Sequence, residues 1–304
     1  MVSCEPLMLS RMQHREFYSS RRGWAIRWRY TYNVVFSRFY KSGCKMKAVT
    51  YWESAPGKTM PPYIALCIAT MRLALGSSFL LLHENNISEF LQGDFQEKSW
   101  AFKPREKEQD PEIKAIVAKS DYIRMAYVAQ NGGFWMDADT IVFKNFLQTF
   151  ELTNNSIYWH SEQFFGGNSG SRLLKTACAK ALADEYQSWG NPGDIKNLIQ
   201  ANPEEAMTIP PELIDPGYRP TYTYANWEIL LDKEINVQDF LNNKEAKLMK
   251  LYNTYLRESG LGLLSMEEFF DSNTLISRIF LSLNPDKKFW ITQTDRILRY
   301  HNAS

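Results

Sequence analysis

Residues 112–143 constrain the fold more tightly than any other stretch of the chain. A long helix-forming run, residues 112–130, leads into Asn131-Gly132-Gly133 and then an apolar run ending at Phe143. Pro111 and Glu112 suit a helix start, where a missing N–H costs nothing and an acid meets the positive end of the helix dipole. Ile113, Ile116, Val117, Ile123 and Tyr127 recur at helical spacing and give that helix a buried stripe. The Asn-Gly-Gly end tolerates left-handed backbone, so the helix stops there and a strand over residues 134–143 begins.

The same alternation holds on either side. Residues 47–52 and 78–83 read as strands, the second a wholly apolar one of the buried parallel kind. Residues 63–75 form a helix with Ile64, Cys67, Ile68, Met71 and Leu75 on one face, stopped by Gly76. A short helix or turn over 87–91 and a polar loop over 93–110 follow. Further strands are expected at 156–160 and 163–166, and a helix at 171–188. After a Pro-rich stretch over 203–220 come short helices, including 237–241 and 266–283, and a strand-like segment at 290–300. Strand and helix alternating over residues 48–190 predict an α/β fold, an open sheet flanked by helices. Ligands of such sheets bind at the carboxyl ends of the strands, and Trp52, Asp137 and Asp139 stand at those ends.

With 304 residues and 44% hydrophobic content the chain can bury a large core. A formal net charge of +1 argues against a nucleic-acid binder, but the average conceals a split. Residues 1–47 hold ten Lys/Arg against two acids, which leaves 25 basic and 32 acidic side chains for the rest. The division expected is a basic, aromatic N-terminal extension (1–45), an α/β core (46–230) and a mainly helical C-terminal part (231–304). Cations interleaved with aromatics such as Trp24, Trp28 and Tyr30 suit an anionic lipid surface; a helical extension, or a leader before Met46, accounts for them as well. Cys4, Cys44, Cys67 and Cys178 match neither a zinc site nor a disulfide framework. No apolar run approaches the roughly 18 residues that span a bilayer. The expected setting is cytoplasmic, with peripheral contact at the inner face of the membrane through residues 1–45.

Asp137 and Asp139 are two apart, so on a strand they project to one side. Neighbouring carboxylates repel unless a cation lies between them or one is protonated. A hard divalent ion held by one or two carboxylates usually shares its shell with a substrate phosphate. Asp121 and Arg124, three apart on the preceding helix, share a face and can converge on the same cleft. Arg124 can pair with Asp121, with Asp137 or with a phosphate. Asp-x-Asp alone is a weak pattern that also occurs in solvated turns; the helix, the Gly-Gly turn and the aromatic strand around it carry the argument.

Ser120-Asp121-Tyr122-Ile123-Arg124 together with Gly132-Gly133-Phe134-Trp135-Met136-Asp137-Ala138-Asp139-Thr140 resembles the core of bacterial capsular polysaccharide synthesis proteins. These fall within the DXD-containing glycosyltransferases of GT-A type, with the yeast-type α-mannosyltransferases and the glucosylating clostridial toxins. Tyr51-Trp52-Glu53 and Met60-Pro61-Pro62-Tyr63-Ile64 resemble the opening strand and helix of that family. The similarity runs from about residue 47 to 175 and thins to Pro/Tyr-rich pieces at 215–220 and 226–227. It implies a GT-A-type, Rossmann-like open mixed sheet. The implied activity is metal-dependent transfer of a sugar from a UDP- or GDP-linked donor to a glycan or lipid-linked glycan acceptor, with retention.

By the same resemblance Trp52, beside Tyr51, flanks the nucleotide base, while Asp121 and Arg124 hold the donor sugar. Asp137 contacts ribose or sugar, Asp139 ligates Mn²⁺ or Mg²⁺ with Asp137 as a second metal residue, and Asp137, Asp139 and Arg124 form the implied catalytic set. Asn253, in Lys250-Leu251-Tyr252-Asn253, is the weak candidate for a further metal contact, in place of a histidine; His301 is the alternative. Glu162 or Asp215 would serve an inverting enzyme as base. Phe164-Phe165-Gly166-Gly167-Asn168 can line an acceptor cleft or form a plain turn, and His83-Glu84-Asn85 is expected only to end the second strand. Three other readings share these residues: a toxin-like effector that glycosylates proteins, a haloacid-dehalogenase-type phosphatase with Asp137 as nucleophile, and a non-catalytic adaptor.

Overall fold

The computed structural model describes residues 46–92, 111–151, 156–183, 191–214 and 222–302. The basic extension, the 93–110 loop and Asp215 lie outside the described residues. In chain order the elements are β1 (Ala48–Tyr51), α1 (Pro62–Leu75), β2 (Phe79–Leu82), α2 (Ile87–Phe90), α3 (Pro111–Asn131), β3 (Gly133–Met136) and β4 (Thr140–Val142). Then come β5 (Ile157–Ser161), β6 (Phe164–Gly167), α4 (Arg172–Ala183), α5 (Ile195–Ala201), β7 (Ala206–Thr208), α6 (Val237–Phe240) and β8 (Leu248–Lys250). The last helices are α7 (Asn253–Leu256), α8 (Met266–Asp271), α9 (Leu275–Leu283) and α10 (Lys287–Asn302).

Six strands form one mixed sheet in the order β2-β1-β3-β6-β5-β7, and β4 pairs with β8 in a separate ribbon. β1 is parallel to both β2 and β3, while β6 turns the sheet antiparallel beside β3. The expected open mixed sheet flanked by helices is therefore present. Side-chain alternation sorts β3 between two layers. Trp135 packs with Tyr122, Ile123 and Ala126 of α3 and Leu173 and Leu174 of α4. Phe134 and Met136 face the other way, against Met71 and Leu75 of α1 and Phe146 and Phe150. A third cluster joins the rest of α1 to α8, α9 and α10 through Phe269, Ile276, Phe280 and Trp290.

The Gly-Gly turn is required by geometry. Gly133 has φ +100°, and a Cβ there would stand 2.4 Å from the Lys47 carbonyl oxygen, which accepts the Phe134 N–H at 2.8 Å. Farther along the sheet, a Cβ on Gly166 would meet the Phe134 ring at 2.5 Å. Gly166 and Gly167 thus lie within β6, where the bare backbone of Gly166 makes room for Phe134.

Four expectations are corrected. The strand over 134–143 is two strands: the chain leaves the main sheet after Met136, turns at Ala138-Asp139 and pairs as β4 with β8, more than a hundred residues downstream. Local periodicity runs unbroken through that break because both halves are buried. Second, β2 is an edge strand, and only Leu82 of its four residues is fully buried. Third, residues 266–283 divide into α8 and α9 at Ser272-Asn273-Thr274, where Asn273 takes φ +53°. Fourth, the 290–300 segment is helical within α10: Trp290, Thr294, Ile297 and His301 are its buried residues, spaced three and four apart.

Candidate active site

A cleft of about 760 Å³ opens at the carboxyl ends of β1 and β3. Tyr51, Trp52, Arg124, Asp137, Asp139 and Asn253 all line it. Asp121 does not. Its carboxylate is fully buried behind Arg124, with which it forms an ion pair one helical turn away. The implied contact of Asp121 with donor sugar thus falls on a side chain that lies behind the cleft wall, against Arg124. Held by Asp121, the Arg124 guanidinium donates to the Glu162 carbonyl oxygen at 2.7 Å and stands 3.9 Å from Asp137 Oδ1. The helix thereby ties itself to the β5–β6 turn across the cleft.

Asp137 and Asp139 do converge, though through a turn and not along one strand. Between them lies the ammonium of Lys250, the last residue of β8. Lys250 Nζ is 2.8 Å from Asp137 Oδ2 and also hydrogen-bonds Asp139 Oδ1. The other two oxygens are engaged as well: Trp135 Nε1–H donates to Asp137 Oδ1 at 2.9 Å, and the Asn253 N–H donates to Asp139 Oδ2 at 2.6 Å. β4–β8 pairing sets Thr140 opposite Lys250 and so fixes the register of this cluster. Burial drives the Asp137 carboxyl upward, but the charges of Lys250 and Arg124 and the bonds from Lys250 and Trp135 outweigh it and hold it below the usual carboxylate range. Burial likewise pulls Lys250 down, and the two carboxylates more than reverse that, so the amine stays charged.

Lys250 had no assigned role in the sequence, although a signal existed: a lone lysine inside the apolar run Leu248-Met249-Lys250-Leu251. Such a residue is almost never fully buried unless paired. Asn253 reaches Asp139 through its backbone N–H, while its side-chain oxygen accepts the Tyr63 hydroxyl at 2.8 Å. His301, the alternative, is buried on α10 and is not among the residues lining the cleft; its ring is 5.0 Å from that of Tyr300 and 6.0 Å from that of His83. His83, Glu84 and Asn85 sit at the end of β2, in and before a turn, as expected. Glu162 lines the cleft with its carboxylate 3.3 Å from Lys196 Nζ. Tyr51 gives its hydroxyl to Glu53, which also pairs with Lys119. Trp52, which lines the cleft, donates its Nε1–H to Ser54 Oγ at 3.2 Å.

The donor set does not fit a divalent ion between the aspartates. An ammonium fills that position, all four carboxylate oxygens already accept protein hydrogen bonds, and the Asn253 oxygen is committed to Tyr63. Among the described residues, no group of three or more His, Cys, Asp or Glu side chains comes together elsewhere as a metal cluster. No helix of the described residues is long and apolar enough to cross a membrane.

The mixed sheet, with a charged cleft at its parallel strand ends, defines an α/β protein whose cleft lies where sheets of this kind take their ligands. Residues 46–172 match the model of the capsular polysaccharide synthesis protein family, which bears out the resemblance over that segment. No curated protein matches the chain by sequence. Among solved structures, the bifunctional glycosyltransferase WbbM overlays with a TM-score of 0.41 at 11% identity, over 83% of this chain and 51% of that one. The PaToxG glycosyltransferase gives 0.37 at 14%, over 79% and 86%. GlyE of Streptococcus pneumoniae TIGR4 gives 0.36 at 12%, over 75% and 63%. The chain thus spans about half the length of WbbM.

Proposed function

We propose that the protein is a glycosyltransferase that moves a sugar from a nucleoside-diphosphate donor to a glycan of a surface polysaccharide. The observation that carries this reading is the cleft itself, in which Arg124, Asp137, Asp139 and Lys250 meet at the parallel strand ends and which Trp52 also lines. The match of residues 46–172 to the capsular polysaccharide synthesis family supports the same class. In the transfer, the bond between the sugar C1 and the diphosphate oxygen breaks and a bond from C1 to the acceptor oxygen forms. With retention, the departing phosphate oxygen takes the acceptor's proton, and no protein base is needed. Trp52 flanks the base, and the fixed cations of the cleft stabilise the charge that develops on the leaving diphosphate.

The acceptor side follows from an aromatic shelf at the same mouth. Tyr224 is 61% exposed, and its ring lies nearly parallel to that of Tyr255, which stacks in turn near Trp227. Flat aromatic faces with polar rims suit a sugar ring. A neighbouring hollow shares Glu162, Lys196 and Tyr224 with the cleft, which gives a chain of sugars room to continue.

The test is a panel of UDP-, GDP- and CMP-sugars, read by thermal shift and by release of free nucleotide. Stabilisation and turnover with one donor are expected, and the anomeric configuration of the product by NMR reports retention. A panel in which no donor binds or reacts would sink the proposal. The phosphatase alternative requires an unencumbered oxygen on Asp137, whereas both oxygens accept bonds from buried donors. Hydrolysis of a simple phosphate ester without any sugar nucleotide would favour it instead.

A further inference from the structure

We propose that Lys250 is the resident cation of this site, so that the donor diphosphate binds without a divalent metal. The inference rests on the transferase reading above and departs from what the Asp-x-Asp pattern implies. Two nearby carboxylates need a positive charge between them, and the fold supplies one covalently. Lys250 is only 5% exposed, lies in a strand paired to β4, and has buried Met249 and Leu251 as neighbours. Its ammonium has three N–H donors. Two are taken by Asp137 and Asp139, and since Lys250 lines the cleft we assign the third to a ligand bound there.

The charge of the cleft agrees with this assignment. Its lining holds six cationic side chains, Lys58, Lys114, Arg124, Lys196, Lys250 and Arg257, against the four carboxylates of Glu53, Asp137, Asp139 and Glu162. The wall is therefore net positive before any ion is added, which suits a diphosphate. A divalent ion entering between the aspartates would have to expel a buried ammonium or sit beside it, and either is opposed by desolvation or repulsion. The Asp pair, in this view, keeps the lysine charged and aimed. Asp139 and Asp137 orient Lys250, and Lys250 meets the phosphate.

The experiment measures binding of UDP, GDP and CDP to the metal-stripped full chain by calorimetry, in EDTA and again in Mn²⁺. One nucleotide is expected to bind with the same affinity in both. Lys250→Ala is expected to lose on the order of ten- to a hundredfold in EDTA, the worth of one charge-assisted bond. Mn²⁺ should restore part of that loss, since the aspartates are then free to hold it, and Lys250→Arg should keep most of the affinity. Circular dichroism checks that the variants fold, and the wild-type comparison stands without them. Electron paramagnetic resonance of wild-type protein with Mn²⁺ should show the signal of the free aqueous ion undiminished. One tightly bound Mn²⁺ per chain, or nucleotide binding only in Mn²⁺, overturns the inference and leaves the transferase reading intact. Absence of nucleotide binding under both conditions sinks both.

Discussion

Replacing Arg124 by alanine tests whether its buried pair with Asp121 holds this wall of the cleft together. The two side chains are 7% and 1% exposed, so the variant leaves a carboxylate buried with its cation gone. Removing one partner of a buried pair costs about 3–5 kcal/mol. The Glu162 carbonyl also loses its 2.7 Å donor, worth about 1 kcal/mol. For a chain of this size about 4–6 kcal/mol lowers the melting temperature by roughly 10–20 °C. Asp121→Ala alone should cost less, because the guanidinium keeps the Glu162 carbonyl and the Asp137 carboxylate 3.9 Å away. The double variant should be less destabilised than the sum of the two by about 2–3 kcal/mol, since neither charge is then left alone. Urea unfolding of the wild type and the three variants, without nucleotide, closes this cycle. Additive losses, or an Arg124→Ala cost near zero, would refute the argument by showing that the pair is effectively solvated and does not anchor the β5–β6 turn.

Four further outcomes are expected. Asp139→Asn removes the charge that aims Lys250 and should weaken nucleotide binding more than it lowers stability, a contrast that calorimetry and thermal unfolding together resolve. Gly133→Ala, which forces a methyl to within 2.4 Å of the Lys47 carbonyl at φ +100°, should cost about 3 kcal/mol or more by urea unfolding, with Asn131→Ala far milder. Tyr224→Ala should raise the KM for the glycan acceptor several-fold while leaving donor affinity unchanged; an unchanged acceptor KM would remove the shelf from the acceptor site. Stability should also fall in mild acid. Burial, helped by His83 and Arg72, holds His301 at about 4 against an ordinary 6.5, so its contribution is complete above pH 6.5 and is lost as the pH falls toward 4. At about 1.4 kcal/mol per pH unit this is worth roughly 2–3 kcal/mol. Burial also holds His160 at about 4, so His301→Gln should remove only part of the slope of the urea-midpoint profile across that range. The Asp137 contribution, by contrast, disappears only below the ordinary carboxylate value of 3.8.

What the sequence disclosed and what it concealed divide along the range of the forces involved. Pro111, the stripe through Ile123 and Tyr127, and the Gly132-Gly133 turn determine local backbone, so the long helix and the strand start were legible to within a residue. Gly133 could be read as a turn residue, yet its contact with Lys47 belongs to the β1–β3 pairing and no local pattern encodes it. The break after Met136 was hidden for the same reason. Phe134, Met136, Ile141 and Val142 are all apolar and buried, and only the distant β8 tells the second half which sheet to join. Trp290, Ile291, Ile297 and Tyr300 look β-prone as a set, but the residues that are buried, Trp290, Thr294, Ile297 and His301, follow the helical period, and the packing that selects them comes from distant helices.

The aspartates show how such long-range pairing changes the chemistry inferred from a short motif. Seen alone, Asp137 and Asp139 ask for a cation, and the usual supplier is a divalent ion. Strand β8 arrives antiparallel to β4 in the one register that sets Lys250 opposite Thr140, and the demand is met by a side chain. A register slip of one residue would turn Lys250 to the opposite face and bring Met249 or Leu251 to the carboxylates. The two acids would then again lack a counter-charge. The identity of the cation is thus decided by strand register, and a lysine in an otherwise apolar strand is the trace that this decision leaves in the sequence.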